Sequence, residues 1–134
     1  MHILLIEDDV TYSRLLQQWV GTLFYTVTCT TVAVIDAALA ELDRQRFDLV
    51  ILDLSLPGVD RIMAIYPIVT AVKPYGTPIL VLSGLPEAVA VVPEMVQAGA
   101  KLYLHKNHIA SAEQLGQIVT TLVGHDATTP HACT

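Results

Sequence analysis

Acidic, hydroxyl and lysine side chains stand in this sequence directly after short apolar runs, where they can gather into one site. Glu7-Asp8-Asp9 follows His2-Ile3-Leu4-Leu5-Ile6, and Asp53 follows Leu49-Val50-Ile51-Leu52. Ser83 follows Ile79-Leu80-Val81-Leu82, and Lys106 follows Leu102-Tyr103-Leu104-His105. Carboxylates brought together repel one another unless a hard cation lies among them. Mg²⁺ suits such a place, because it takes oxygen from one or two carboxylates and keeps waters or phosphate oxygens besides. A lysine at the same edge supplies a second positive charge for a phosphoryl group. A carboxylate so placed is itself a nucleophile that can carry an aspartyl-phosphate. The residue types point to metal-assisted phosphoryl chemistry.

Such a site requires several strand ends along one edge of a sheet. The apolar runs read as buried parallel strands at about 2–6, 47–52, 78–82 and 101–104, with a Thr- and Val-rich strand at about 25–30. Helical spacing fills the gaps: Leu15, Leu16, Trp19, Val20 and Leu23 within 10–23, then Ile35, Ala38, Leu39 and Leu42 within about 32–45. Further helices are predicted at about 61–72, in part of 86–98, and at 111–123, where Leu115, Ile118, Val119 and Leu122 share a face. Leu56-Pro57-Gly58-Val59 reads as a turn, and Gly99 as a helix stop. The strand–helix alternation implies an α/β fold, a five-stranded parallel sheet with helices on both faces. In such sheets ligands bind at the C-terminal ends of the strands.

At 134 residues the chain fits one domain, large enough to bury a core without staples. The folded domain is expected at 1–124, with 125–134 as a flexible C-terminal tail or a truncated linker. Net charge is −6 and no basic run occurs, which argues against nucleic-acid binding. Charged residues make up 15% of the chain, against about 25% in ordinary soluble domains, and mean hydropathy is +0.54. No stretch reaches the roughly 20 apolar residues of a membrane span, so buried strands and an apolar surface patch must account for the excess. The two cysteines, Cys29 and Cys133, form no motif and read as reduced thiols of a cytoplasmic protein. The patch is expected at Ala88–Val96, where Val89, Val91, Val92, Met95 and Val96 crowd a nearly uncharged stretch interrupted by Pro93.

With these residues placed, the chain resembles the receiver domain of two-component response regulators over residues 2–124. The resemblance rests on Ile6-Glu7-Asp8-Asp9, Asp53-Leu54-Ser55-Leu56-Pro57-Gly58, Ser83-Gly84 and Lys106, in order at the ends of successive strands. It implies the flavodoxin-like strand order 2-1-3-4-5 and a switch in signalling, not a metabolic enzyme. By position, Asp53 is the phosphoryl acceptor. The implied Mg²⁺ ligands are Asp8 and Asp9, one directly and one through water, with Asp53 and the Ser55 backbone carbonyl as further ligands. Ser83 touches the phosphoryl group, Lys106 pairs with it, and Tyr103 couples to Ser83 in switching. The implied partners are a sensor histidine kinase or phosphotransfer protein, and a second copy or an effector through 88–96. Two positions depart from the family pattern: Arg61 stands where glycine is usual, and Asn107 where proline follows the lysine.

Three other readings compete on the residues alone. Asp8 and Asp9 also suit a helix N-terminus, where aspartate satisfies free N–H groups. An aspartyl-nucleophile phosphohydrolase would place a second aspartate where Ser55 stands, and a flavodoxin-like cofactor module would want Ser, Thr and Gly after the first strand.

Overall fold

The computed structural model describes residues 1–24, 26–53, 65–83 and 99–124, apart from the side chains of Ser83, Tyr103 and Asn107. Five strands form one parallel sheet: β1 (His2–Ile6), β2 (Thr28–Val32), β3 (Leu49–Asp53), β4 (Ile79–Ser83) and β5 (Leu102–His105). Their spatial order is β2-β1-β3-β4-β5, as the resemblance implies. Among the described residues four α-helices accompany them: α1 (Val10–Leu23), α2 (Ile35–Arg44), α3 (Ile65–Val72) and α4 (Ala112–Val123).

The central strands are continuous apolar runs because both faces of the sheet are covered. All five residues of β3 are buried, and in β1 only His2 is not. The period of two divides them between two cores. Leu4, Ile6, Val50, Leu52, Ile79 and Val81 pack with Ala38 of α2 and Ile65, Ile68 and Val72 of α3. Ile3, Leu5, Leu49, Ile51, Leu80 and Leu82 pack on the other side with Leu16 and Val20 of α1 and Leu115 and Val119 of α4. Burying one such side chain stabilises the fold by about 1.5–3 kcal/mol, which fixes the register and with it the edge where the strands end.

Side-chain caps set two helix starts. The Asp9 carboxylate accepts the Tyr12 N–H at 3.1 Å, and the Ser111 hydroxyl accepts the Gln114 N–H at 3.2 Å. Gln114 Oε1 reaches back to the Ala110 N–H at 2.7 Å. A close approach fixes Gly99, whose φ is +123° and where an added Cβ would lie 2.8 Å from Val69 Cγ1 of α3.

The second strand begins later than its sequence predicts, at Thr28 and not near 25, and α2 begins at Ile35 and not near 32. Residues from Phe24 to Val34 are nearly all good strand formers, so pairing sets the ends, not propensity. The Thr28 N–H donates to the Met1 carbonyl at 2.8 Å, and β1 carries the ladder on to Val32, opposite Ile6. No cis peptide bond occurs among the described residues, so the Lys106–Asn107 bond is trans. No helix among them is long and apolar enough to cross a membrane. The helix expected in 86–98, the patch at Ala88–Val96, Ser55, Arg61 and the tail 125–134 lie outside the described residues.

Candidate phosphoryl and metal site

Parallel register builds the site. Ile6 stands opposite Leu52 in the β1–β3 pair, so one further step sets Glu7 beside Asp53. Asp53 pairs with Leu82, and Ser83 with His105, so Ser83 and Lys106 follow at the same edge. Each polar residue occupies the place where its strand leaves the core.

Asp53 is only 2% exposed. The Lys106 ammonium lies 3.6 Å from Asp53 Oδ2 and donates to Glu7 Oε1 at 2.9 Å. Lys106 opens a 3-10 turn, Lys106–His108, closed by the Ile109 N–H donating to the Lys106 carbonyl at 3.1 Å. That turn aims the lysine back over the sheet edge. Its ammonium also lies 4.4 Å from the centre of the Tyr12 ring, a cation–π contact from the first turn of α1.

Glu7 is the residue whose role sequence reasoning left out. Its N–H donates to the Val32 carbonyl at 2.9 Å, and its side chain is buried among the other charges. Burial and the Asp53 carboxylate push its carboxyl up to about 8, and Lys106 only partly opposes them. The signal was present in the ends of the first and second apolar runs, which, once paired, put the first acid of the cluster opposite Asp53.

Among the described residues, Glu7, Asp8 and Asp53 form the group whose carboxylate oxygens, one from each, lie within 4.8 Å of one another. Asp9 is not in that group; its carboxylate is engaged at the start of α1. The donor set suits a hard divalent cation. Two acids are buried and Asp8 is exposed, which leaves a solvent side for water or phosphate oxygens. Ser83 and Tyr103 are placed by their strands at and near the edge, Tyr103 opposite Val81.

Tyr12 adds an apolar wall. Burial, together with the nearby Glu7 and Asp53 carboxylates, pushes its hydroxyl up to about 12. Among the described residues the site therefore combines an acidic trio, the Lys106 ammonium held at Glu7 and Asp53, and a ring beside that ammonium.

Residues 3–120 match the family model described as the response regulator receiver domain. The chain belongs to that family. The fold is shared with solved receivers of two-component signalling. A receiver domain of a sensor histidine kinase from Pseudomonas aeruginosa, with a magnesium ion coordinated in its active-site cleft, is 25% identical with a TM-score of 0.75. The similarity covers 92% of this chain and 97% of that one. A response regulator from Burkholderia pseudomallei carrying a phosphorylated aspartic acid, calcium and citrate is 23% identical with a TM-score of 0.74, over 94% of this chain and 68% of that one. A CheY-like receiver domain protein from Methanospirillum hungatei is 20% identical with a TM-score of 0.75, over 91% and 92%. No curated protein matches the sequence.

Proposed function

We propose that this receiver accepts a phosphoryl group on Asp53 from the phosphohistidine of a sensor kinase or phosphotransfer protein, and passes the changed state to a partner. The observation that carries the reading is the buried Asp53 carboxylate, 3.6 Å from Lys106 at the end of a central strand and grouped with Glu7 and Asp8. In the transfer the bond from phosphorus to the imidazole nitrogen breaks and one from phosphorus to an Asp53 oxygen forms. The imidazole leaves with the electron pair.

Glu7, Asp8 and Asp53 would hold Mg²⁺, and the Ser55 carbonyl is a further expected ligand. Bound there, the ion supplies charge neutralisation for the phosphoryl oxygens. Lys106 offers the second positive charge from its place between Glu7 and Asp53. Asp9 serves as the cap that fixes the entry of α1 and so the direction of Asp8. Ser83 and Tyr103 are the proposed switch pair, both carried by strands that end at this edge. A shift of an existing equilibrium at their face would report the phosphorylated state.

Incubation with an acyl phosphate and Mg²⁺ tests the proposal by intact mass. One phosphoryl mass should be added, and the addition should vanish with chelator and in Asp53→Asn. An equal addition in Asp53→Asn would reject the assignment.

A further inference from the structure

We propose that Tyr12 is a positioning residue for Lys106: its ring face fixes the ammonium between the Glu7 and Asp53 carboxylates and so sets how fast Asp53 is phosphorylated. The inference rests on the reading of Asp53 as phosphoryl acceptor, and its test separates the two.

A lysine side chain is flexible and its charge acts without direction, so two carboxylates alone leave its ammonium several places to stand. Here a third neighbour restricts it. The ammonium donates to Glu7 Oε1 at 2.9 Å, lies 3.6 Å from Asp53 Oδ2, and sits 4.4 Å from the Tyr12 ring centre. A ring within about 6 Å attracts a cation through its quadrupole, more strongly where water is partly excluded. The Lys106 side chain is 19% exposed, which meets that condition.

The ring is itself held in place. Tyr12 occupies the first turn of α1, its N–H is tied to the Asp9 carboxylate, and its side chain packs on the core beneath α1 and α4. Its hydroxyl is buried with no hydrogen-bond partner among the described residues. Among the described residues no polar contact anchors the side chain, so its contribution to the site lies in the ring. The competing view is that Tyr12 is only an apolar filler that any large side chain could replace.

Tyr12→Phe, Tyr12→Leu and Tyr12→Met decide between these, each alone and combined with Lys106→Ala. The initial rate of acyl-phosphate modification in Mg²⁺ is followed by intact mass, with Asp53→Asn as the blank and denaturant midpoints recorded for every variant. Tyr12→Leu and Tyr12→Met should slow the reaction by about three- to tenfold, and Tyr12→Phe should stay within about twofold of wild type. In the Lys106→Ala background the loss of the ring should cost nothing further, because the ring acts through the lysine. The Lys106 ε-methylene protons should show a ring-current shift in wild type and Tyr12→Phe that disappears in Tyr12→Leu. Equal slowing with and without Lys106, or a Phe variant as slow as the Leu and Met variants, overturns the proposal. If Tyr12→Leu does not fold, Tyr12→Met carries the same comparison. A wild-type rate no greater than that of the Asp53→Asn blank overturns the acceptor reading instead, and the proposal falls with it.

Discussion

Replacing Glu7 by glutamine is expected to stabilise the metal-free receiver at neutral pH and to weaken its hold on Mg²⁺. Glu7 is 4% exposed, and burial followed by the Asp53 carboxylate raises its carboxyl from 4.5 to about 8. Its folded value lies above its unfolded value, so the folded state binds the extra proton between those limits. Stability from this group is full below the unfolded value and falls as pH rises through the folded one. At about 1.4 kcal/mol per tenfold, the stability lost as pH rises is at most about 5 kcal/mol at high pH, of which about 3 kcal/mol is already lost by pH 7. Glutamine keeps the shape, offers its amide oxygen to Lys106 and its amide hydrogens to Asp53, and does not titrate. The gain should therefore be about 1–3 kcal/mol at pH 7 in chelator, shrinking toward zero near pH 4. Urea unfolding of both proteins across pH 4–9 measures it, since carboxylates away from the cluster cancel in the difference. Added Mg²⁺ should reverse the order, because the ion binds the ionised acid in the wild type and finds only an amide in the variant. Parallel stability–pH curves for the two proteins, or equal stabilisation of both by Mg²⁺, would refute the reasoning.

Three other perturbations follow from the same structure. Asp9→Ala should lower stability by about 1 kcal/mol through loss of the α1 cap, while Asp9→Asn should cost little; Mg²⁺ affinity measured by calorimetry should change far less than in Asp8→Ala. Tyr12→Phe removes a buried hydroxyl that lacks a partner and should raise the unfolding free energy by about 1 kcal/mol in denaturant titrations. Gly99→Ala should destabilise by about 1–3 kcal/mol, because alanine is strained at a φ of +123° and its Cβ meets Val69; a thermal midpoint equal to wild type would contradict this.

Much of the fold was legible because buried parallel strands write themselves as unbroken apolar runs, and those of β1, β3 and β4 end where their polar residues begin. The second strand was less legible. Phe24 to Val34 is β-forming nearly throughout, and pairing with β1 selects Thr28–Val32. The acidic cluster showed that a site exists but not which acids face it. Adjacent acids at a strand end diverge: Glu7 continues the strand toward Asp53, Asp8 reaches the same group from the turn, and Asp9 closes the helix. That division depends on the β1–β3 register, a tertiary fact that no local pattern states. The contact between Lys106 and Tyr12 joins the two ends of the chain across the sheet edge, and nothing in the spacing of either residue announces it.

The central claim is that Asp53 is the residue that receives the phosphoryl group. An acyl phosphate is reduced by borohydride to an alcohol, so a phosphorylated aspartate becomes homoserine and keeps its place in the sequence. The receiver should be phosphorylated with Mg²⁺, reduced, digested and mapped by peptide mass. Homoserine at position 53, absent when chelator replaces Mg²⁺, is the predicted result. Homoserine at another acid, or modification of position 53 that is indifferent to Mg²⁺, would contradict it.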